Sequence, residues 1–389
     1  MLTKYNLKTP HAVYGGENAM DNITAIIKAT GAKRVAMFTD KGIEACGLFA
    51  LPEEAVKASG VDYYVLDELA PEPSYMAVQN LIDQFKKDGA DLIVACGGGS
   101  VMDAAKLASV LVTDEYGVKE LLDNPGMAKK CVPIVLIPTT AGTGAEVTPN
   151  AIVAVPEKEL KVGIVNENMI ADYVILDARL IKNLPMGIAA ATGVDALAHA
   201  IECYTSNKAN PFSDTFALEA LDLILENIIP ACTDPDAMEA KNKMQIAAFY
   251  GGIAITASGT TAVHALSYPL GGKYHVPHGI SNAVLLVPVM KYNMGSEAFV
   301  ERLANAYGRC AHDGSNCQTN MEKAQWMIDK MDGIVKALKI PESFKAKYQI
   351  PAEDLDGLVN AGMQVQRLLV NNMREMTPDA ARVLYQEIM

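Results

Sequence analysis

No apolar run in this sequence approaches the ~20 residues of a membrane-spanning helix. The longest, such as AVLLVPVM at 283–290, stop well short. The opening residues, MLTKYNLKTP, lack the apolar core of a secretory signal, so a cytoplasmic location without a membrane partner is expected. Cysteines never form a CxxC pair, and seven of them scattered through a long chain read as reduced thiols. Positive charge is in deficit: 33 Lys and Arg face 46 Asp and Glu, a net charge of −13. That argues against a nucleic-acid or anionic-membrane surface, which needs clustered Lys and Arg. It leaves room for a small anion in one local basic or amide-rich pocket. Internal repeats, low-complexity segments, a GxGxxG fingerprint and a persuasive Ser-His-Asp or Cys-His arrangement are also missing. Histidine is scarce, with six in 389 residues.

What is present is an ordinary globular composition, half hydrophobic and one-fifth charged, at a length that suits two domains. The first half alternates strand-like and helix-like segments. HAVYGGENAM reads as an edge strand and turn; RVAMFTD (34–40), DYYVLDEL (62–69), DLIVACGGGS (91–100) and VPIVLIPTTAGTG (132–144) read as strands. Helical runs over 52–58, 74–89 and 101–113 fall between them, which predicts a mostly parallel sheet covered on both faces. After DYVILDARLIKNLP the alternation stops. Helical candidates follow at 186–204, 213–229, 238–256, 260–268, 279–292, 297–311, 320–338 and 352–389. The expected organisation is therefore an α/β domain over 1–184 and an all-α domain over 185–389.

Two loops stand out in the first domain. CGGGSVMDAAK sets three glycines and Ser100 between a buried strand and a helix, where the backbone can approach a ligand and helix N–H groups favour a pyrophosphate. Three glycines also make a plain tight turn. PTTAGTGAEVTPN (138–150) ends a second buried strand with hydroxyls and glycines. In doubly wound sheets, ligands sit outside the carboxyl ends of the strands, so the two loops together are a stronger signal. Asp40, at the end of a third strand, is placed to take the ribose hydroxyls of NAD and repel the 2′-phosphate of NADP, or to cap a helix.

Half of the histidines lie in AVHALSYPLGGKYHVPHG (262–279). Upstream, GVDALAHAIE puts Asp195 and His199 four apart, on one face of a helix. One carboxylate with His264 and His278 added suits Fe(II), Zn(II) or a similar divalent ion. A core imidazole and a helix cap are the competing readings of His264 and His278.

These stretches, with NPFSDTFALEAL and the continuation to ISNAVLLVPVMKYN, resemble the iron-containing (group III) alcohol dehydrogenase family over essentially the whole chain. The resemblance implies a Rossmann-like α/β domain followed by a helical domain, an architecture shared with dehydroquinate synthases. It implies metal ligands at Asp195, His199, His264 and His278, with iron the expected ion and zinc or another divalent ion possible. It also implies NAD contacts, NADP being less favoured, at Asp40, Gly97, Gly98, Gly99, Ser100, Asp103, Thr139, Thr140, Thr143, Thr148, Asn150 and Lys161. Two departures bear on catalysis. Tyr268 stands where many relatives have a second histidine, and a phenol with a pKa of about 10 donates hydrogen bonds but carries protons poorly. His275 is either a replacement group at the mouth of the site or a surface loop histidine. Glu72 stands where the family often has Asn.

The implied activity is hydride transfer between a metal-bound alcohol and nicotinamide, the metal lowering the hydroxyl pKa and the protein fixing distance and angle. Thr256, Ser258, Thr260 and Thr261, with Tyr268, Lys273 and His275, predict a short polar alcohol or aldehyde, unless those hydroxyls bond back to helix carbonyls. Rival readings are a hydroxyacid–oxoacid transhydrogenase that keeps its nucleotide, a non-redox NAD-using lyase, and a non-catalytic metal-binding protein. A homodimer or larger homo-oligomer, paired near residues 5–15, is expected from the resemblance.

Overall fold

The alternating first half folds as an α/β unit over Lys8–Asn183; the other unit is Leu184–Met389 with the short N-terminal segment ending at Leu7. The computed structural model describes residues 5–158, 160–344 and 348–389. In the first unit the strands are β1 (Ala12–Gly15), β2 (Arg34–Phe38), β3 (Asp62–Leu66), β4 (Leu92–Gly97), β5 (Ile134–Pro138), β6 (Asn150–Val155), β7 (Leu160–Val165) and β8 (Tyr173–Leu176). Six of them form one sheet in the order β1-β8-β5-β4-β2-β3, every neighbour parallel. The helices are α1 (Asn22–Thr30), α2 (Lys41–Ala45), α3 (Ala50–Ala58), α4 (Tyr75–Asp88), α5 (Gly99–Val110) and α6 (Val118–Asp123).

Strands β4 and β5 are buried at every position, as a sheet covered on both faces requires. Two α-helix starts in this unit carry a side-chain cap. Ser74 accepts from the Ala77 N–H to cap α4, and Asp40 caps α2. The chain moves outward from β2 to β3, then returns to place β4 on the other side of β2. That reversal leaves a crevice beyond the carboxyl ends of β2 and β4, the usual seat of a ligand in such sheets. One element was not foreseen. Strands β6 and β7 form an antiparallel hairpin outside the main sheet, pairing Asn150 with Val165 and Val155 with Leu160.

The second unit is built from α7 (Met186–Tyr204), α8 (Pro211–Thr233), α9 (Met238–Ser258), α10 (Ala262–Tyr274), α11 (His278–Asn293), α12 (Glu297–Cys310), α13 (Asn320–Ala337), α14 (Leu355–Met363), α15 (Gln366–Leu369) and α16 (Pro378–Ile388). The expected single run over 352–389 is thus three helices. The last restarts where the Thr377 hydroxyl accepts from the Ala380 N–H and Pro378 occupies the first turn. Helix α10 runs past Pro269 to Tyr274, six residues beyond the predicted end. Helix α7 is buried from Gly193 through Tyr204 and packs against α8, α9 and α11. Among the described residues no single helix is long and apolar enough to cross a membrane.

Candidate functional site

Register places three loops side by side in the α/β unit. Phe38 of β2 pairs with Ala95 of β4, and Gly97 pairs with Pro138 of β5. Asp40, Gly97–Ser100 and Thr139–Thr143 therefore leave the carboxyl ends of three adjacent strands. Glycine is required at 97, where a Cβ would come within 2.6 Å of Val101 on the first turn of α5. The N-cap of α5 is Gly98, and a Cβ at Gly99 would sit 3.1 Å from Thr143, so the two glycine-rich loops touch. The buried Thr139 hydroxyl has no hydrogen-bond partner within the protein. A helix start with its N–H groups exposed to a glycine turn, beside such a hydroxyl, fits a pyrophosphate.

Several expected contacts turn out to serve the loops themselves. Asp40 Oδ1 accepts from the Gly42 and Ile43 N–H groups, the capping role the sequence left open. Asp103 points inward: its Oδ2 accepts from the Ile152 N–H and its Oδ1 pairs with Lys106 at 2.8 Å. Lys106, fully buried, also donates to the carbonyls of Ala145 (2.9 Å) and Asn150. Thr148, at 3.4 Å from the same ammonium, belongs to this knot. The Ser100 hydroxyl accepts from the Glu72 N–H, and Lys161 is ion-paired to Glu72 at 2.6 Å. Glu72 thus has a partner of its own where the family's Asn would differ. Thr143 Oγ1 accepts from the Ala145 N–H, and Thr140 is half-buried beside Gly98.

The helical unit gathers the second set. Asp195 and His199 face the same way one turn apart on α7, with His264 in the first turn of α10 and His278 at the first position of α11. Gly279 admits this: a Cβ there would lie 2.5 Å from the Ala191 carbonyl, so α11 starts against the backbone of α7. The Asp195 Oδ1 lies 3.6 Å from His264 Nε2 and 3.9 Å from both His199 Nε2 and His278 Nε2. Asp195, His199 and His264 offer donor atoms that all lie within 4.8 Å of one another, a spacing that suits one divalent cation, and His278 reaches the same carboxylate oxygen. Asp195, His199 and His264 are buried, and the His278 side chain is 30% exposed. The rings of His199 and His264 stack at 4.6 Å. The Asn282 amide nitrogen donates to Asp195 Oδ1 at 2.6 Å and lies 3.1 and 3.2 Å from the Nε2 atoms of His264 and His278. Asp195, His264 and His278 thus converge on the one Asn282 amide nitrogen. Burial alone would raise the Asp195 carboxyl; the facing imidazoles hold it far below the usual carboxylate range instead. Burial lowers the basicity of His264, but Glu202 and Asp195 override it and push the imidazole up to about 10.

Tyr268 is half-buried with its ring 6.1 Å from that of His278, and its hydroxyl accepts from Arg367 at 3.3 Å. Arg367 is exposed, and among the described residues no carboxylate pairs with it. His275 is elsewhere. It is the exposed C-cap of α10, left-handed at φ 53°, and makes none of the ring contacts that link His199, His264, His278 and Tyr268. The hydroxyls expected to line a polar pocket are mostly engaged internally. Thr256 bonds to Gly252, Ser258 to Ala254 and Cys203, and Thr261 to Glu202. Lys273 is ion-paired to Asp354. Glu202, Asn282, Lys106 and Arg367 were not singled out as site residues. Spacing gave a signal for Glu202, seven residues beyond Asp195 on the same helical face, and for Asn282, four beyond His278.

Residues 10–178 match the family described as iron-containing alcohol dehydrogenase, and 189–389 match the C-terminal Fe-containing alcohol dehydrogenase family. Long-chain-alcohol dehydrogenase 1 of Geobacillus thermodenitrificans is 32% identical over 381 residues, covering 97% of this chain and 95% of the relative. A crystal structure of 1,3-propanediol oxidoreductase superposes with a TM-score of 0.93 at 26% identity, covering both chains completely. Sulfoacetaldehyde reductase from Bifidobacterium kashiwanohense, solved in complex with NAD+, gives 0.87 at 26% identity over 99% of each chain.

Proposed function

Because the chain belongs to the iron-containing alcohol dehydrogenase family, we propose that it is a metal-dependent, NAD(H)-linked alcohol dehydrogenase and aldehyde reductase acting on a short polar alcohol. The observation that carries this reading is the convergence of three imidazole Nε2 atoms on the Asp195 carboxylate. Asp195, His199, His264 and His278 would hold the divalent ion, iron first and zinc as a substitute. When bound, the ion would act as a Lewis acid that eases loss of the hydroxyl proton, while the nicotinamide would exchange hydride with the carbinol carbon.

The chain's own residues do the rest. The N–H groups at the start of α5 and the Thr139 hydroxyl would bind the pyrophosphate. Asp40 Oδ1 is engaged as a cap, and the carboxylate's negative charge would favour NAD over NADP. Lys106 holds the 145–150 backbone in place, and Lys161 with Glu72 would border the adenosine side. Tyr268 and Arg367, beside His278, would orient the polar end of the substrate. Support for a polar substrate comes from this pair, now that the hydroxyls of Thr256, Ser258 and Thr261 are engaged within the helices. His275 has no part in the reading.

A second copy of the chain would pair along the exposed edge of β1, which hydrogen-bonds to β8 on one side only. Seven free cysteines suit a reducing cytosol. The test is metal content measured together with NADH formation, for wild type and His264→Ala, over a panel of 1-propanol, 1,2-propanediol, 4-hydroxybutyrate and a sulfonated aldehyde. Stoichiometric metal and NADH accumulation in wild type, both lost in the variant, are expected. A variant that keeps both removes His264 from the site, and turnover without free NAD would point to a transhydrogenase.

A further inference from the structure

Glu202 has no solvent exposure and lies one turn beyond His199 on α7. Its two oxygens have different tasks. Oε1 accepts three hydrogen bonds from the start of α10: the Thr261 N–H at 3.0 Å, the Thr261 hydroxyl at 2.7 Å and the Val263 N–H at 2.8 Å. Oε2 meets Nδ1 of His264. A carboxylate only accepts, so this contact requires a proton on Nδ1. The unprotonated lone pair of a neutral His264 is then on Nε2, the atom that faces Asp195 Oδ1 at 3.6 Å.

We propose that Glu202 is the positioning residue of the metal centre: it caps α10 from α7 and, through Nδ1, fixes the ring orientation and tautomer in which His264 presents Nε2. The proposal rests on the metal-dependent reading above and adds to it a residue that would contact a metal ligand, His264, and not the ion itself. Oriented histidine ligands lose about 10–100-fold in metal affinity when the group behind them is changed.

Glu202→Gln separates polarity from packing. The three donors at Oε1 demand an oxygen there, so the new amide must turn its NH2 toward His264. Nδ1 then becomes an acceptor, and the ring proton moves to Nε2, where it blocks the ion. The cap on α10 is kept. A control, Thr261→Val, removes one cap donor and leaves the carboxylate against His264.

The experiment titrates metal-free wild type, Glu202→Gln and Thr261→Val with zinc against a chromophoric chelator, and records visible spectra after cobalt loading. A loss of about 10–100-fold in zinc affinity is expected for Glu202→Gln, with a changed cobalt spectrum and the helical content of wild type by circular dichroism. Thr261→Val is expected to stay within about threefold of wild type. Equal zinc affinity in Glu202→Gln and wild type, while His264→Ala loses the ion, overturns the proposal and leaves the metal-dependent reading intact. A wild type that takes up no ion at this cluster ends both. Should Glu202→Gln fail to fold, histidine-selective nitrogen NMR of zinc-loaded wild type decides: a proton on Nδ1 of His264 supports the proposal, and a bare or metal-bound Nδ1 refutes it.

Discussion

Replacing Lys106 by Met would test whether the knot under the second glycine-rich loop holds the α/β unit together. The ammonium is completely buried, pairs with Asp103 at 2.8 Å and donates to the Ala145 carbonyl at 2.9 Å and to that of Asn150. Methionine fills similar volume, so the loss is electrical: a buried carboxylate loses its counter-charge and two carbonyls lose a donor. Removing one partner of a buried pair costs about 3–5 kcal/mol. For a domain of this size each kcal/mol lowers the melting temperature by about 2–4 °C, so the expected drop is about 6–20 °C. Calorimetry of metal-free wild type and variant measures it, with guanidinium unfolding as a check. Asp103→Asn combined with Lys106→Met should recover part of the loss, because Asn can still accept from the Ile152 N–H while shedding the stranded charge. A drop under about 2 °C would refute the idea that this ion pair anchors the loop.

Other outcomes follow from the same geometry. Burial, against the pull of Lys106, pushes the Glu146 carboxyl from 4.5 to about 7. The folded state therefore disfavours its ionised form: the penalty is absent below pH 4.5, grows through the interval, and is full above pH 7 at about 3 kcal/mol. Glu146→Gln should accordingly gain stability over wild type as pH rises from 4.5 to 7, and a pH-independent difference in denaturation midpoints would contradict this. With His264 raised to about 10 in the metal-free protein, an ion must displace a proton from it at neutral pH. Zinc affinity measured by chelator competition should fall at least about 100-fold from pH 8.5 to 6.5, and a flat profile would count against His264 as a ligand. Arg367→Ala should raise KM about fivefold for a carboxylate- or sulfonate-bearing substrate and leave 1-propanol unchanged, since one exposed charge contact is worth about 1 kcal/mol. Equal effects on both substrates would place Arg367 outside the substrate's reach.

The sheet was legible because its strands carry continuous apolar runs that end in glycine, hydroxyl or acid. DLIVACGGGS could only be a buried strand turning into a helix, and β4 with α5 is that element. The start of α11 was legible to within one residue, the helix expected from 279 beginning at His278. The β6–β7 hairpin was missed because KVGIV and AIVAV pair with each other away from the six-stranded sheet, outside the βα rhythm. What sequence could not assign is partnership across distance. Asp103 and Ser100 sit in the glycine loop, yet their side chains serve Lys106 and Glu72. The hydroxyls of Ser258 and Thr261 looked available for substrate until folding brought Cys203 and Glu202 to them. Glu202 itself faces residues some sixty positions further along the chain.

Asp195, His199 and Glu202 stand at successive turns along one side of α7. They move as a single rod: a small rotation of the helix about its axis would swing a carboxylate, an imidazole and the brace behind a third donor together. Whatever wedges that rod in place therefore sets the grip on the ion. Ile228 of α8 is such a wedge, standing within 3.1 Å of where a Cβ at Gly193 would lie. Bulk added at that crossing would therefore shift Asp195, His199 and Glu202 together.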